Sequence, residues 1–182
     1  MIKKDAFFSS TTIDNISRSK VVTLLTLALP GLRLIQDGQM EGFTRNLPVE
    51  LGRRYPEPLD KDLELYYRRL IPALQHPVFH EGQWTLLESH AAWKDNPSHH
   101  NIIGFRWQME DVHRLVVVNL ADYSSQCYMP IRSSELGESS WIFNDIMSDI
   151  EYQRDGGDFL PQGLYLDMPG YGYHLFEIVE SG

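Results

Sequence analysis

The hydrophobic pattern of this chain changes near residue 80, from a helical period to the alternation typical of strands. Before this point, apolar residues recur at the spacing that places them on one face of a helix. After it, short alternating runs are separated by clusters of Asp, Asn, Gly and Pro, which favour turns. The pattern therefore predicts an α+β chain in which helices come first and an antiparallel β-sandwich follows.

Two helices and one short strand are predicted in the first part. The first helix is expected to start near Asp14 or Asn15, either of which is a suitable N-cap, and to stop before Pro30. Its C-terminal half is apolar almost all round, so we expect it to be buried on more than one side. The apolar run 32–35 is predicted to be a short strand, and residues 60–74 a second helix. Five residues form the predicted apolar face of this second helix: Leu63, Tyr66, Tyr67, Leu70 and Leu74.

The second part is predicted to contain short strands bounded by turn residues. Many such strands at this spacing are typical of an antiparallel sandwich. The predicted strands are 84–89, 102–108, 114–120, 126–131, 140–143, 151–154, 164–168 and 173–179.

Composition argues against several classes of function. The formal net charge is -9 and no basic stripe is present, so nucleic-acid binding is not expected. The longest apolar stretch, 21–29, is far shorter than the roughly 20 residues of a membrane span, and no apolar signal region follows Lys4. A single cysteine, Cys127, excludes a disulfide within one chain and favours a cytoplasmic location.

One string in the first part is similar to a known family. Residues 27–42, LALPGLRLIQDGQMEG, resemble the last strand region of the alpha-amylase family barrel, where a helix ends in a Pro-Gly turn before a short strand and a Gly-rich loop. Residues 51–54 and 66–70 resemble the passage into the final barrel helix. In the second part, 116–120 and 164–176 are similar to strands of the family's C-terminal sandwich.

The resemblance implies that residues 1–78 are a remnant of the last (β/α) barrel units and that 79–182 form the C-terminal β-sandwich domain. It also implies that Gln39 and Glu41, in the Gly-rich loop, lie near the substrate. The family's catalytic Asp, Glu and Asp lie on earlier barrel strands, and no string here matches their motifs. The resemblance therefore implies no catalytic residue and no cofactor in this chain.

The remaining candidate residues are interpreted mainly as structural. Paired carboxylates could act as the acid and nucleophile of a glycosidase, but Asp145 with Asp149 and Asp155 with Asp158 (or with Glu151) are expected at turns or on the surface. Most tryptophans are expected in the core, whereas Trp93 lies in a loop-like stretch and is the candidate for stacking on a sugar. The spacing of five histidines does not fit a metal site: His76, His80, His90, His99 and His100.

The apolar face of the first helix has a consequence for partners. Leaving its apolar side chains bare would forfeit roughly 1.5–3 kcal/mol each. The segment 15–35 is therefore expected to fold back on the sandwich, to pair with itself in an oligomer, or to complete a barrel supplied by another polypeptide.

Three functions are consistent with the sequence. The first is a structural C-terminal part of an alpha-amylase family glycoside hydrolase, inactive alone. The alternative is a free-standing carbohydrate-binding sandwich with a glucan as its ligand. The third is a small enzyme that uses one of the carboxylate pairs.

Overall fold

The structure is a computed structural model that describes residues 13–45, 56–131, 139–155 and 162–181. Helices α1 and α2 are followed by a short helix, α3, and then by strands β1 to β9. The helices span Ile13–Ala28, Lys61–Leu74 and Val78–Glu81. The strands span Gln83–Leu87, His90–Ala91, Ile102–Met109, Val112–Asn119, Ser125–Met129, Ser140–Asp145, Ile150–Asp155, Leu164–Met168 and Tyr173–Glu180.

The strands form two antiparallel sheets. A six-stranded sheet has the order β1-β3-β4-β9-β6-β7, and a three-stranded sheet has the order β2-β5-β8. The small sheet packs on one face of the large sheet, and the helices pack on the other face. The predicted α+β chain with an antiparallel sandwich is confirmed.

The large sheet is buried on both faces at β4. Val116 and Val118 belong to the core under the helices, whereas Leu115 and Val117 belong to the core under the small sheet. This follows from the period of two, which directs successive side chains to opposite faces. A run of valines suits a strand covered on both sides, because β-branched side chains pack well on a pleated surface.

Helix α2 begins where the sequence predicts. Asp60 is its N-cap and accepts hydrogen bonds from the backbone N–H groups of Asp62 and Leu63. The predicted apolar face is buried throughout. These five residues are Leu63, Tyr66, Tyr67, Leu70 and Leu74.

Helix α1 folds back on the rest of the chain. It begins at Ile13, so Asp14 and Asn15 lie within the helix and the prediction that one of them is the N-cap is wrong. Val21 and Leu24 are fully buried in the core that α1 shares with α2 and the large sheet. Of the three ways to cover this helix, the described residues show the first. This core draws on residues from both 1–78 and 79–182. The division of the chain into these two domains stays a prediction.

The predicted strand 32–35 does not form. The segment is irregular in the structure, and Leu32 and Leu34 are 98% and 83% exposed. A strand needs a neighbouring strand to satisfy its backbone groups, whereas a helix satisfies them internally. No strand of the described residues pairs with this segment.

Candidate functional site

The Gly-rich loop 38–42 is held against α2 by a buried hydroxyl group. Gln39 donates a hydrogen bond from Nε2 to the Tyr67 hydroxyl at 2.7 Å, and Thr23 Oγ1 of α1 lies 3.0 Å from the same oxygen. Gln39 Oε1 also accepts from the backbone N–H of Gln36 at 3.1 Å. Burial raises the pKa of Tyr67, so this hydroxyl stays neutral. The Gln39 amide therefore joins the two helices to the loop.

Glu41 and Gly42 lie next to the start of α2. The Glu41 carbonyl accepts a hydrogen bond from the Asp60 backbone N–H at 3.0 Å. Gly42 has a φ of 72°, and a Cβ at this position would lie 2.8 Å from Asp60 Cβ. The positive φ and the short Cβ distance explain why the loop needs glycine at position 42. A substrate-proximal role for Gln39 and Glu41 stays a prediction.

The segment 32–35 lies beside the C-terminal end of α2 with one polar side chain turned inward. Arg33 donates hydrogen bonds from its guanidinium group to the carbonyl oxygens of Leu74 at 3.3 Å and Phe79 at 2.6 Å. Ile35 packs against the helical core. Leu32 and Leu34 point the other way and are exposed. The segment thus alternates as a strand would, with an apolar outer face.

Asp145 is the main buried carboxylate, and its predicted surface position is wrong. Its side chain is 2% exposed at the end of β6, where it accepts hydrogen bonds from Ser148 Oγ at 2.7 Å and from the Leu175 backbone N–H at 3.3 Å. His174 Nδ1 lies 2.9 Å from its Oδ2 atom. Burial alone would raise the pKa of Asp145, but the hydrogen bonds from His174 and Ser148 outweigh it, so the pKa is lowered. The residue is a charged anchor for the β6–β7 turn.

The sequence carried a signal for this anchor that the prediction overlooked. Trp141 and Phe143 face the core of the sandwich, and Asp145 is the next residue of the same parity on β6. A carboxylate that follows two inward aromatics in an alternating strand is expected to point inward too. The neighbouring Asp149 is exposed and pairs with Arg69 of α2 at 2.6 Å, as its predicted surface position requires.

Two of the other candidate carboxylates, Glu151 and Asp155, lie on β7. Asp155 is exposed on β7 and accepts a hydrogen bond from Ser140 Oγ at 2.6 Å. Glu151 is exposed on the same strand, and Asp158 lies outside the described residues. The exposure of Glu151 and Asp155 agrees with their expected surface positions.

Asn119, at the end of β4, is fully buried and fastens two turns. Its Nδ2 group donates to the carbonyl oxygens of Tyr123 at 2.8 Å and Pro169 at 2.9 Å, and its Oδ1 atom accepts from the Ala121 backbone N–H at 3.0 Å. The Asn at the end of the valine-rich strand therefore has a structural role.

The tryptophans divide as predicted between core and surface. Trp107 is buried and donates its indole N–H to the Ala28 carbonyl at 2.8 Å, which ties β3 to the end of α1. Trp141 is buried under the small sheet. Trp93 is 56% exposed, in the turn after β2. Stacking of a sugar on Trp93 stays a prediction.

The described residues hold no group of three or more His, Cys, Asp and Glu that could bind a metal ion. Cys127 is buried in the sandwich, and burial raises the pKa of its thiol to about 12, which suits a packed side chain rather than a nucleophile. In the same part of the chain, no helix has both the length and the apolar character to cross a membrane.

Comparison with protein-family profiles and with curated protein sequences gives no match. Comparison with solved structures does. A maltogenic alpha-amylase from Thermotoga neapolitana is similar over 90% of this chain, with a TM-score of 0.67 and 14% identity. An alpha-amylase from Geobacillus thermoleovorans, solved with acarbose, is similar over 93% of this chain, with a TM-score of 0.68 and 17% identity. The fold is that of part of an alpha-amylase. A debranching enzyme from Nostoc punctiforme is also similar, with a TM-score of 0.56 and 18% identity over 91% of this chain.

The alpha-amylase fold covers this chain from the helices through the sandwich, so the predicted resemblance is confirmed at the level of fold. The chain spans 36% of the length of the Thermotoga and Geobacillus alpha-amylases and 29% of the Nostoc enzyme. At these identities the likeness concerns the fold, and it assigns no activity.

Proposed function

We propose that this chain is the C-terminal part of an alpha-amylase family glycoside hydrolase that acts in carbohydrate metabolism. In this proposal the chain does not catalyse a reaction on its own. Its role is to complete and stabilise a (β/α) barrel that further polypeptide supplies. The partner is thus an N-terminal barrel polypeptide.

The exposed outer face of segment 32–35 is the observation that carries this proposal. Arg33 and Ile35 hold the segment against the helical core, so Leu32 and Leu34 are presented outward. Burying a leucine contributes roughly 1.5–3 kcal/mol. In a closed barrel, a neighbouring strand would satisfy the backbone groups of the segment, and the side chains that fill the barrel interior would cover both leucines.

The sandwich would support the barrel edge, by which we mean the exposed face of segment 32–35, through helices α1 and α2. The core below α1 and α2 includes Phe105, Trp107 and Val116 of the large sheet. Arg69 of α2 also binds Asp149 and the Met147 carbonyl in the β6–β7 turn. Helices fixed in this way can present segment 32–35 in one orientation.

Co-expression with a (β/α) barrel polypeptide from the same genome tests the proposal. We expect the two polypeptides to co-purify and the mixture to gain activity on starch-type substrates or thermal stability. Leu34→Asn is expected to weaken the association. Ile150→Asn is the matched control, because Ile150 is also an exposed apolar residue, at 49%, but lies on edge strand β7.

Two results would contradict the proposal. One is the absence of both association and any gain in activity or stability. The other is a chain that covers segment 32–35 by forming its own dimer, which sedimentation would detect and which Leu34→Asn would dissociate.

The alternative function is a free-standing carbohydrate-binding module, and the exposure of Trp93 favours it. It predicts that a glucan binds to the chain alone and that Trp93→Ala abolishes the binding. Calorimetry with maltooligosaccharides measures this, and a flat titration would remove the alternative.

A further inference from the structure

The outer face of the small sheet carries a row of rings across all three strands. His90 of β2 pairs in register with Tyr128 of β5, which pairs in turn with Tyr165 of β8. Alternate residues on β5 and β8, such as Cys127 and Leu166, face the core of the sandwich. The three ring-bearing residues therefore point away from the core. We call them the aromatic row.

The two tyrosines of the aromatic row form an angled pair. Their ring centroids are 5.5 Å apart and their planes are inclined by 59°. Tyr165 is 46% exposed and Tyr128 is half-buried. The pair thus offers two inclined ring faces rather than one flat plate.

A polar pair lies next to these rings on the same face. Gln126 and Asp167 are register partners two residues along β5 and β8, and Gln126 Nε2 donates to Asp167 Oδ1 at 2.9 Å. Ser98 Oγ lies 3.4 Å from Gln126 Oε1. The 2.9 Å bond to Asp167 orients the amide, while the carboxylate keeps capacity for further hydrogen bonds, since it has about four lone-pair sites.

These features match the two surfaces of a pyranose ring. The C–H groups of a sugar face are apolar and pack on the face of an aromatic ring, whereas its hydroxyl groups need donors and acceptors at the ring's edge. Side chains on paired strands are held more precisely than those on loops. For this reason the tyrosine pair suits a sugar better than Trp93, which lies in a turn.

We propose that the aromatic row, with Gln126 and Asp167, is a binding surface for a neutral oligosaccharide. One sugar ring packs against Tyr165 and Tyr128, and its hydroxyl groups bond to the Gln126–Asp167 pair. An acidic saccharide is disfavoured, because Asp167 lies at the surface and the net charge of the chain is -9.

This surface is independent of the barrel edge. It lies on the small sheet, on the opposite side of the large sheet from the helices. A barrel that covers Leu34 would therefore leave the aromatic row open. Sugar binding and barrel association can each fail without the other.

The test is titration of the full chain with maltoheptaose and, separately, with cellohexaose, followed by calorimetry and by backbone amide chemical shifts. We expect at least one sugar to bind with a millimolar or lower Kd and to shift the amides of β5 and β8. Tyr165→Ala should weaken binding about tenfold, whereas Trp93→Ala should change it by less than about twofold.

The amide shifts of the unmodified chain keep the test decisive if Tyr165→Ala does not fold. Three results would overturn the proposal: no binding of either sugar at millimolar concentration, shifts confined to residues outside β2, β5 and β8, or a loss caused by Trp93→Ala and not by Tyr165→Ala. Preference for one of the two sugars would support the surface and identify the linkage that it accepts.

Discussion

Helix α1 and segment 32–35 are close in sequence and both rich in leucine, yet their leucines lie in opposite environments. Leu24 of α1 is fully buried, whereas Leu34 is almost fully exposed. The difference comes from the backbone. A helix needs only an apolar surface, which α2 and the large sheet provide, but a strand also needs hydrogen-bonding partners along its edge. Apolar content alone therefore does not decide which segment the chain can bury.

The largest expected change in stability is at the buried helix α1. Leu24→Ala is expected to lower the free energy of unfolding by about 2–5 kcal/mol, because it opens a cavity between α1 and the sheet. Urea denaturation measures the change. A loss below about 1 kcal/mol would mean that α1 is not packed as described.

Asp145→Ala tests the β6–β7 turn, to which Arg69 of α2 binds. At neutral pH it should lower the free energy of unfolding by about 3 kcal/mol, because it leaves Ser148 and the Leu175 backbone N–H without their acceptor. Asp155→Ala, at an exposed position on β7, is the control and should cost less than about 0.5 kcal/mol.

The same variant has a predicted pH dependence. The pKa of Asp145 is lowered in the folded chain, so its charge stabilises the fold above the ordinary value of 3.8. This contribution is lost as the pH falls through the lowered pKa. The stability difference between the wild type and Asp145→Ala should therefore be full at neutral pH and should shrink below pH 3.8. A difference that grows on acidification would contradict the assignment.

Tyr67→Phe sharpens the comparison, because the Tyr67 hydroxyl joins α1 to the loop that follows segment 32–35. Its loss removes the contacts to Thr23 and Gln39 and is expected to cost about 1–2 kcal/mol. Thermal denaturation gives the value. Equal stability of Tyr67→Phe and the wild type would show that the loop is not fixed through this hydroxyl.

Leu34→Asn has the smallest expected effect on the isolated chain. Since the side chain is exposed, the free energy of unfolding should change by less than about 0.5 kcal/mol. The same change should weaken association with a barrel polypeptide. A large loss of stability in the chain alone would show that Leu34 has a partner within it.

Local patterns predicted much of the fold. The extent of α2, its apolar face and eight of the described strands follow from spacing and turn residues. Strand β2, with two residues, is too short to produce an alternating pattern, and α3 has only four.

The wrong and missed predictions concern contacts between residues that are distant in sequence, which a local pattern does not show. The prediction of a strand at 32–35 rested on its apolar run, but no strand among the described residues pairs with this segment. Asp145 was placed at the surface because the predicted strand ended at Phe143, which left Asp145 in the following connection, whereas β6 continues to Asp145. The aromatic row depends on which residues of β2, β5 and β8 meet in register, and this becomes visible only once the strand order is known.

Hydrogen exchange of the backbone amides tests the central comparison most directly. In the isolated chain, the amides of 21–28 in α1 should be strongly protected, while those of Leu32 and Leu34 should exchange at close to the rate of an unfolded peptide. Protection of 32–35 should appear only when a barrel polypeptide is added. Equal protection of both segments in the chain alone would contradict the account.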